Sequence, residues 1–475
     1  MIIYLFGVIL LLEAALMSLP MLTSLVYGES VLPFLFTVLI ICAAAVPMVL
    51  SKPSNKRIFT KEGFVTVALA WVLLSAFGAL PFVFSGAIPN YIDAFFETVS
   101  GFTTTGATIL LSIEELPRGI LFWRSFTHWI GGMGVLVFVL AIMPSAGGQS
   151  IYLMRAEVPG PTKDKLVPKM RESALILYGI YIILTVIEII LLKIVGLPFY
   201  DAIVTAFSTA GTGGFAVLND SVAGYGNAAA EWIIAIFMLV FGVNFNLYFL
   251  AIMGNIRSAI KSEELRAYLC VILTSFILVT LNTVRLFESF YDCIRTSVFQ
   301  VSSIITTTGF ATVEFGAWPT FSKCVLLLLM IIGACAGSTA GGLKISRVIL
   351  LVKSAFKEIK NVIRPHSVNV VRLDGVTVES ETARGTGAYF TIYATIIAIT
   401  TLLLSIDGFS IETCFSAAVS MINNVGPVFG EIGAFGNLAE FSYFSKLLMS
   451  LNMLVGRLEI IPMLVLFSPS TWRKI

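Results

Sequence analysis

One short polar segment occurs four times in this chain, each time between two long apolar runs. The copies are Ser100-Gly-Phe-Thr-Thr-Thr-Gly106, Ser208-Thr-Ala-Gly-Thr-Gly-Gly214, Ser303-Ile-Ile-Thr-Thr-Thr-Gly309 and Ser420-Met-Ile-Asn-Asn-Val-Gly426. Each sets a Gly six residues after a Ser, with small hydroxyl or amide residues packed before it. Recurrence at roughly hundred-residue intervals points to four copies of one unit around an axis. Thr, Asn and Gly in apolar surroundings can turn backbone carbonyls toward a dehydrated cation.

The surroundings are those of a membrane protein. Of the 475 residues, 57% are hydrophobic and 12% charged, against about 25% charged in a soluble domain. Apolar runs of spanning length cover about 3–26, 31–50, 63–85, 118–143, 173–196, 229–254, 267–287, 322–352, 386–406 and 443–467. The first two form a hairpin, and the other eight make four pairs, each enclosing one copy of the segment. Residues 1–26 lack the basic start and cleavage site of a signal peptide and are read as the first span. The expected fold is an all-α polytopic membrane protein: four helix–pore-loop–helix repeats in pseudo-fourfold symmetry plus an N-terminal two-helix hairpin. Its divisions are 1–62 for the hairpin and 63–172, 173–266, 267–384 and 385–475 for the repeats.

The enclosed stretches 91–108, 199–216, 290–311 and 409–427 are too short and polar to cross. Each opens with an aromatic residue near an acid: Tyr91 and Asp93, Tyr200 and Asp201, Tyr291 and Asp292, Phe409 and Glu412. An acid in the first turn meets the positive end of a helix dipole, so each stretch reads as a half-helix followed by an extended return. Non-helical backbone at membrane depth is tolerated only inside protein or beside a water-filled cavity. Basic residues concentrate in the loops 51–62, 144–172, 255–266 and 353–384 and at Arg473 and Lys474. Ten spans put all of these on one side, which the positive-inside rule makes cytoplasmic.

Directing successive carbonyls toward one axis needs backbone conformations that a Cβ disfavours, so glycine suits the ring position. Gly106, Gly214, Gly309 and Gly426 are assigned to one ring. Thr105, Gly213, Thr308 and Val425 form the next, then Thr104, Thr212, Thr307 and Asn424. The register of the second copy is set by matching Gly214-Phe-Ala to Gly309-Phe310-Ala311.

These segments, with Asn423-Asn-Val-Gly-Pro427, Ala336-Gly-Ser-Thr-Ala-Gly-Gly-Leu-Lys344 and Gly456-Arg-Leu-Glu-Ile460, resemble the TrkH/KtrB family of bacterial potassium-transporting subunits over nearly the whole chain. The extra N-terminal hairpin resembles its TrkH branch. The resemblance implies a potassium uptake subunit in a bacterial or archaeal inner (plasma) membrane, with K+ as the transported ion bound at the ring residues and no covalently bound cofactor. It further implies a homodimer, surrounded by lipid and gated by a cytoplasmic nucleotide-binding ring of the TrkA/KtrA kind. No G-x-G-x-x-G opening a βαβ unit occurs in this chain. In related plant transporters a Ser at the first Gly position accompanies sodium transport, so Gly106 favours potassium.

The run 322–352 is interrupted by Gly333-Ala-Cys-Ala-Gly-Ser-Thr-Ala-Gly-Gly342. Ten residues without a bulky side chain make a poor helix interior. The segment either packs closely on a neighbour or, as the resemblance implies, forms a gate of Gly337, Ser338, Thr339, Ala340, Gly341, Gly342 and Lys344. Arg457 falls within the last span, where a charge is costly and faces a cavity or partner; the resemblance makes it a barrier below the ring. Glu459 is not expected to pair with it. Lys344 and Lys446 lie near span ends, where snorkelling accounts for them. Glu13 either has a function, faces a neighbouring helix or snorkels outward. Gly131-Gly-Met-Gly134 permits close packing. The six cysteines form no C-x-x-C pair and read as small hydrophobes, and His128 and His366 receive no role.

A net charge of +2 gives no support for nucleic-acid binding. No H-E-x-x-H, Ser–His pairing or nucleophile elbow supports an enzyme. A symporter coupling K+ to H+ or Na+ is the alternative function. It calls for paired acids near the midplane, and Glu188 and Glu231 are the candidates, neither with an evident partner. A third reading, the potassium-binding subunit of an ATP-driven pump, fits less well because such chains are longer.

Overall fold

The computed structural model describes residues 2–51, 60–134, 170–366, 369–467 and 469. The basic loops 51–62 and 144–172 lie largely outside the described residues, as do the end of the 118–143 run and the tail at Arg473 and Lys474. Among the described residues the regular structure is helical apart from one antiparallel hairpin, Arg372–Leu373 with Val376–Thr377. The chain is a polytopic membrane protein with the hairpin-plus-four-repeat architecture.

Among the described residues six helices are long and apolar enough to cross: Ile2–Val26, Leu32–Leu50, Glu62–Phe84, Ala174–Ile194, Glu263–Leu286 and Ser380–Asp407. Their outward faces carry exposed aliphatic residues such as Ile183, Ile190, Leu273, Leu281 and Leu402. That pattern is stable only against hydrocarbon. The N-terminal hairpin packs on the first repeat. Gly7 lets its two helices touch, and Glu29 caps the helix Arg118–Gly132 by accepting from the backbone N–H groups of Arg118 (2.7 Å) and Gly119 (2.9 Å).

The runs expected at 229–254 and 443–467 are not continuous helices, and 322–352 is broken at its small-residue segment, between Ile332 and Ile345. Ala228–Phe241 and Phe245–Ile252 meet at 88°. Thr320–Ile332 and Ile345–Ile363 flank the Gly-rich segment, and Tyr443–Arg457 stops two residues before Ile460–Phe467. The first repeat's second helix likewise ends at Gly132. A hydropathy window does not register the breaks at 242–244 and 458–459, because apolar residues flank them on both sides. Tertiary contacts impose them: a Cβ at Gly242 would lie 2.5 Å from the Tyr268 hydroxyl, and the Asn244 side chain restarts the helix by accepting from Asn246 N–H.

Four half-helices occupy the centre: Tyr91–Phe102, Phe199–Gly211, Phe290–Ile305 and Ile411–Asn423. Asp93, Asp201, Asp292 and Glu412 stand in their first turns, and Asn90 and Ser410 cap two of them through side-chain oxygens. The returning loops bind one another in a cycle. Ile113 N–H donates to Asn219 Oδ1, Ala223 N–H to the Ala311 carbonyl, Ala434 N–H to Glu314, and Leu438 N–H to the Thr108 carbonyl. The last of these bonds closes the fourth repeat onto the first.

Candidate ion pathway

The Ser-to-Gly spacing has a local cause. Each half-helix ends in a Schellman motif, in which the N–H two residues past the cap reaches back five residues and the preceding N–H reaches back three. Thr105, Gly213, Thr308 and Val425 donate to the carbonyls of Ser100, Ser208, Ser303 and Ser420 at 2.8–3.0 Å. Thr104, Thr212, Thr307 and Asn424 donate to Gly101, Thr209, Ile304 and Met421. The motif needs a left-handed residue at the turn. Thr104, Thr212, Thr307 and Asn424 supply it at φ +54° to +55°, and Gly106, Gly214, Gly309 and Gly426 follow at φ +76° to +100°. Left-handed Thr costs about 1–2 kcal/mol relative to ordinary helix geometry, and such strain concentrates at functional sites.

The four glycines stand in a closed cycle. A Cβ on Gly106 would lie 1.9 Å from the Gly213 carbonyl oxygen, one on Gly214 2.0 Å from that of Thr308, one on Gly309 2.1 Å from that of Val425, and one on Gly426 2.5 Å from that of Thr105. Each repeat therefore sets its glycine against the carbonyl preceding the next repeat's glycine. The structure brings the three assigned layers together around one axis, with Thr104, Thr105, Thr212, Thr307, Thr308, Asn424 and Val425 all buried. Two cavities flank the ring. One touches all four glycines together with Thr108, Arg124 and Pro427. The other, on the side of the described basic loops, is lined by Gly337, Ser338, Ala340 to Gly342, Lys344, Gly456, Arg457 and Glu459.

The Gly-rich segment lies directly against the ring's underside. Gly341 N–H donates to Thr307 Oγ1 at 2.6 Å and Gly342 N–H to the Asn423 carbonyl at 3.1 Å. Its other side is held by the break in the second repeat: Cys335 N–H donates to the Gly242 carbonyl, the Gly337 carbonyl accepts from Phe245 N–H, and Thr339 Oγ1 donates to the Phe241 carbonyl. Ala336 N–H donates to buried Glu264 at 2.7 Å. Left-handed glycines at 333, 337 and 342 shape these turns.

Arg457 is the last residue of its helix and joins the segment to the first repeat. It donates from Nη1 to the Thr339 carbonyl at 2.7 Å and from Nη2 to the Gly131 and Gly132 carbonyls at 2.6 Å each. Those glycines do allow close packing, since a Cβ on Gly131 would meet the Phe102 carbonyl at 1.9 Å. Where their helix ends, the Gly131 carbonyl accepts from Arg457 as well as from Gly134 N–H, and the Gly132 carbonyl accepts from Arg457. Glu459 pairs with Arg347.

Lys344 and Lys446 do not snorkel. Lys344 is buried and turns its ammonium back onto the Ala340 carbonyl. Lys446 is buried and bonded to Asp93 of the first half-helix at 2.7 Å. Inward-facing partners outcompete distant solvent in both cases. Glu231 has a partner after all, Arg295 at 3.0 Å, because the third half-helix packs beside it. Glu188 is fully buried beside Thr209, and Glu13 is buried against Gly78 of a neighbouring helix. His128 is buried and stacked on Phe215 at 4.2 Å, its ring filling the space a Cβ on Gly213 would take.

The family model described as cation transport protein, TrkH, matches residues 32–474. The chain belongs to the TrkH family. Members of this family are transporters, not enzymes. The Trk system potassium uptake protein TrkH of Salmonella typhimurium is 37% identical over 479 residues, covering 98% of each chain. TrkG of Escherichia coli strain K12 is 34% identical, covering 96% of this chain and 95% of its own. The crystal structure of the potassium transporter TrkH from Vibrio parahaemolyticus superposes on this TrkH-family chain with a TM-score of 0.89 at 32% identity, over 99% of both.

Proposed function

We propose that the chain is a potassium uptake subunit conducting K+ along the axis shared by its four repeats. The observation that carries this reading is the cyclic seating of each ring glycine on the next repeat's carbonyl. The carbonyls of Thr105, Gly213, Thr308 and Val425 then form one layer and those of Thr104, Thr212, Thr307 and Asn424 another, replacing water around the ion. The names of the relatives agree with K+ as cargo. With one glycine layer per repeat, discrimination against Na+ rests on few carbonyl layers.

In this reading segment 337–342, with Lys344 and Arg457 beneath it, closes the path on the cytoplasmic side. Opening requires the segment to leave Thr307 and Asn423. The trigger is a cytoplasmic nucleotide-binding ring of the TrkA/KtrA kind, acting on a homodimer in a bacterial or archaeal plasma membrane. The loops 51–62, 144–172, 255–266 and 353–384 face that ring, and the repeats divide at 62, 172, 266 and 384. Conduction is passive.

Purified protein in proteoliposomes tests the reading. An outward K+ gradient should drive uptake of tracer Rb+, with Na+ a poor substitute, and a pH gradient alone should drive none. Tracer uptake driven by the pH gradient would instead favour the coupled mechanism, with Glu188 as its first candidate.

A further inference from the structure

A buried ion pair stands beside the ring. Glu97, on the first half-helix, and Arg124, on the helix Arg118–Gly132, meet at 2.7 Å with almost no exposure. The position three residues before the repeat's Ser is Glu97 in the first copy but Thr205, Gln300 and Ala417 in the others. Pseudo-fourfold packing therefore does not require a charge there.

The pair joins the return strands of two repeats. The Glu97 carboxylate accepts from Thr108 Oγ1 at 2.9 and 3.1 Å and from Ile109 N–H at 3.0 Å. Thr108 stands two residues past Gly106. Arg124 Nη1 donates to the Ala216 carbonyl at 3.0 Å, two residues past Gly214, and its guanidinium lies 3.5 Å from the Phe215 ring centroid. Phe215 in turn rests on His128, which backs Gly213. The clamp thus spans the junction at which Gly106 meets the Gly213 carbonyl, and Arg124 also borders the cavity that touches all four glycines.

We propose that Glu97 and Arg124 are positioning residues for ion selectivity, holding the first and second return strands at a fixed separation. In addition, Glu97 neutralises a guanidinium that would otherwise repel cations at the mouth of the path. The inference rests on the potassium-conducting reading.

The two roles separate by charge. Arg124→Lys keeps the charge and loses the planar fork that serves Glu97 and Ala216 together. Its K+ to Na+ flux ratio should fall about three- to tenfold, as expected when part of a charge-assisted hydrogen bond is lost, with half-saturating K+ little changed. Glu97→Gln leaves the positive charge uncompensated and should raise half-saturating K+ several-fold. The double variant Glu97→Gln, Arg124→Gln should return half-saturation toward wild type while the flux ratio stays low. Thr108→Val keeps the pair and its charges and removes one support. It serves if the charge variants fold poorly, and its flux ratio should fall by a smaller factor.

Flux is measured in proteoliposomes and normalised to folded protein. Folded Arg124→Lys or Thr108→Val protein with a wild-type flux ratio, losing only thermal stability, would overturn the proposal. If the wild-type liposomes carried no K+, the functional reading would fail instead.

Discussion

Replacing Gly106 by Ser tests the ring at its tightest junction. At φ +76° any Cβ is strained, which costs about 1–2 kcal/mol. The new Cβ would also lie 1.9 Å from the Gly213 oxygen. Relief requires that carbonyl or the Gly106 backbone to move by about 1 Å, because packed interiors leave no slack. A carbonyl displaced that far discriminates poorly between K+ and Na+. If that strain appears as lost discrimination, about 1–2 kcal/mol, the K+/Na+ flux ratio falls about 5- to 30-fold. Conduction should persist. Gly426→Ser should be milder at the same level, since its nearest oxygen, that of Thr105, stands at 2.5 Å. Gly179→Ala, with open space around the new methyl, is the control and should leave the ratio unchanged. The assay is paired Rb+ and Na+ tracer flux per folded molecule. A wild-type ratio in Gly106→Ser would remove Gly106 from the ion's path and refute the reasoning.

Three further outcomes are expected. Arg457→Ala should speed basal flux and lower the melting temperature, because it removes both a charge worth about 1–4 kcal/mol to a cation 4 Å away and three carbonyl contacts; Arg457→Lys should lie between, and a stable but slower Ala variant would contradict the barrier role. Shortening Gly337–Gly342 by several residues should raise flux in the absence of any partner, whereas low flux from a folded deletion would make the segment a packing element. Asp93→Asn should destabilise by about 3 kcal/mol or more, because it strands the buried Lys446 charge, and Lys446→Gln by less, because Asp93 is only partly buried, with the double variant less damaged than their sum; additive melting-temperature losses would contradict the pairing.

The fourfold plan was legible because its signals are local. The Ser-to-Gly spacing is a helix-ending hydrogen-bond motif, and the acids of the first turns mark the half-helices. Matching Gly214-Phe-Ala to Gly309-Phe-Ala selected the residues that share left-handed backbone in the second copy. The break at Gly333–Gly342 was legible from its small residues, whereas those at Gly242–Asn244 and Leu458–Glu459 were not, since one or two polar residues in an apolar run do not end a helix and contacts from other repeats decide where helicity stops. Lys446 and Glu231 were misread for a related reason. Their partners, Asp93 and Arg295, lie far off in sequence and become neighbours only when the repeats close. Arg124 sat within an expected span, and a charge inside an apolar run was the signal that would have found it.

A potassium-conducting path requires a cation to sit among the four glycine-bearing loops. Anomalous diffraction from crystals of the full chain grown in Rb+ or Tl+ measures this directly. A peak is expected on the common axis within coordinating distance of the carbonyls of Thr105, Gly213, Thr308 and Val425, weakened by Na+ far less than by K+. Ordered anomalous density beside Glu188 with none on the axis would contradict that path.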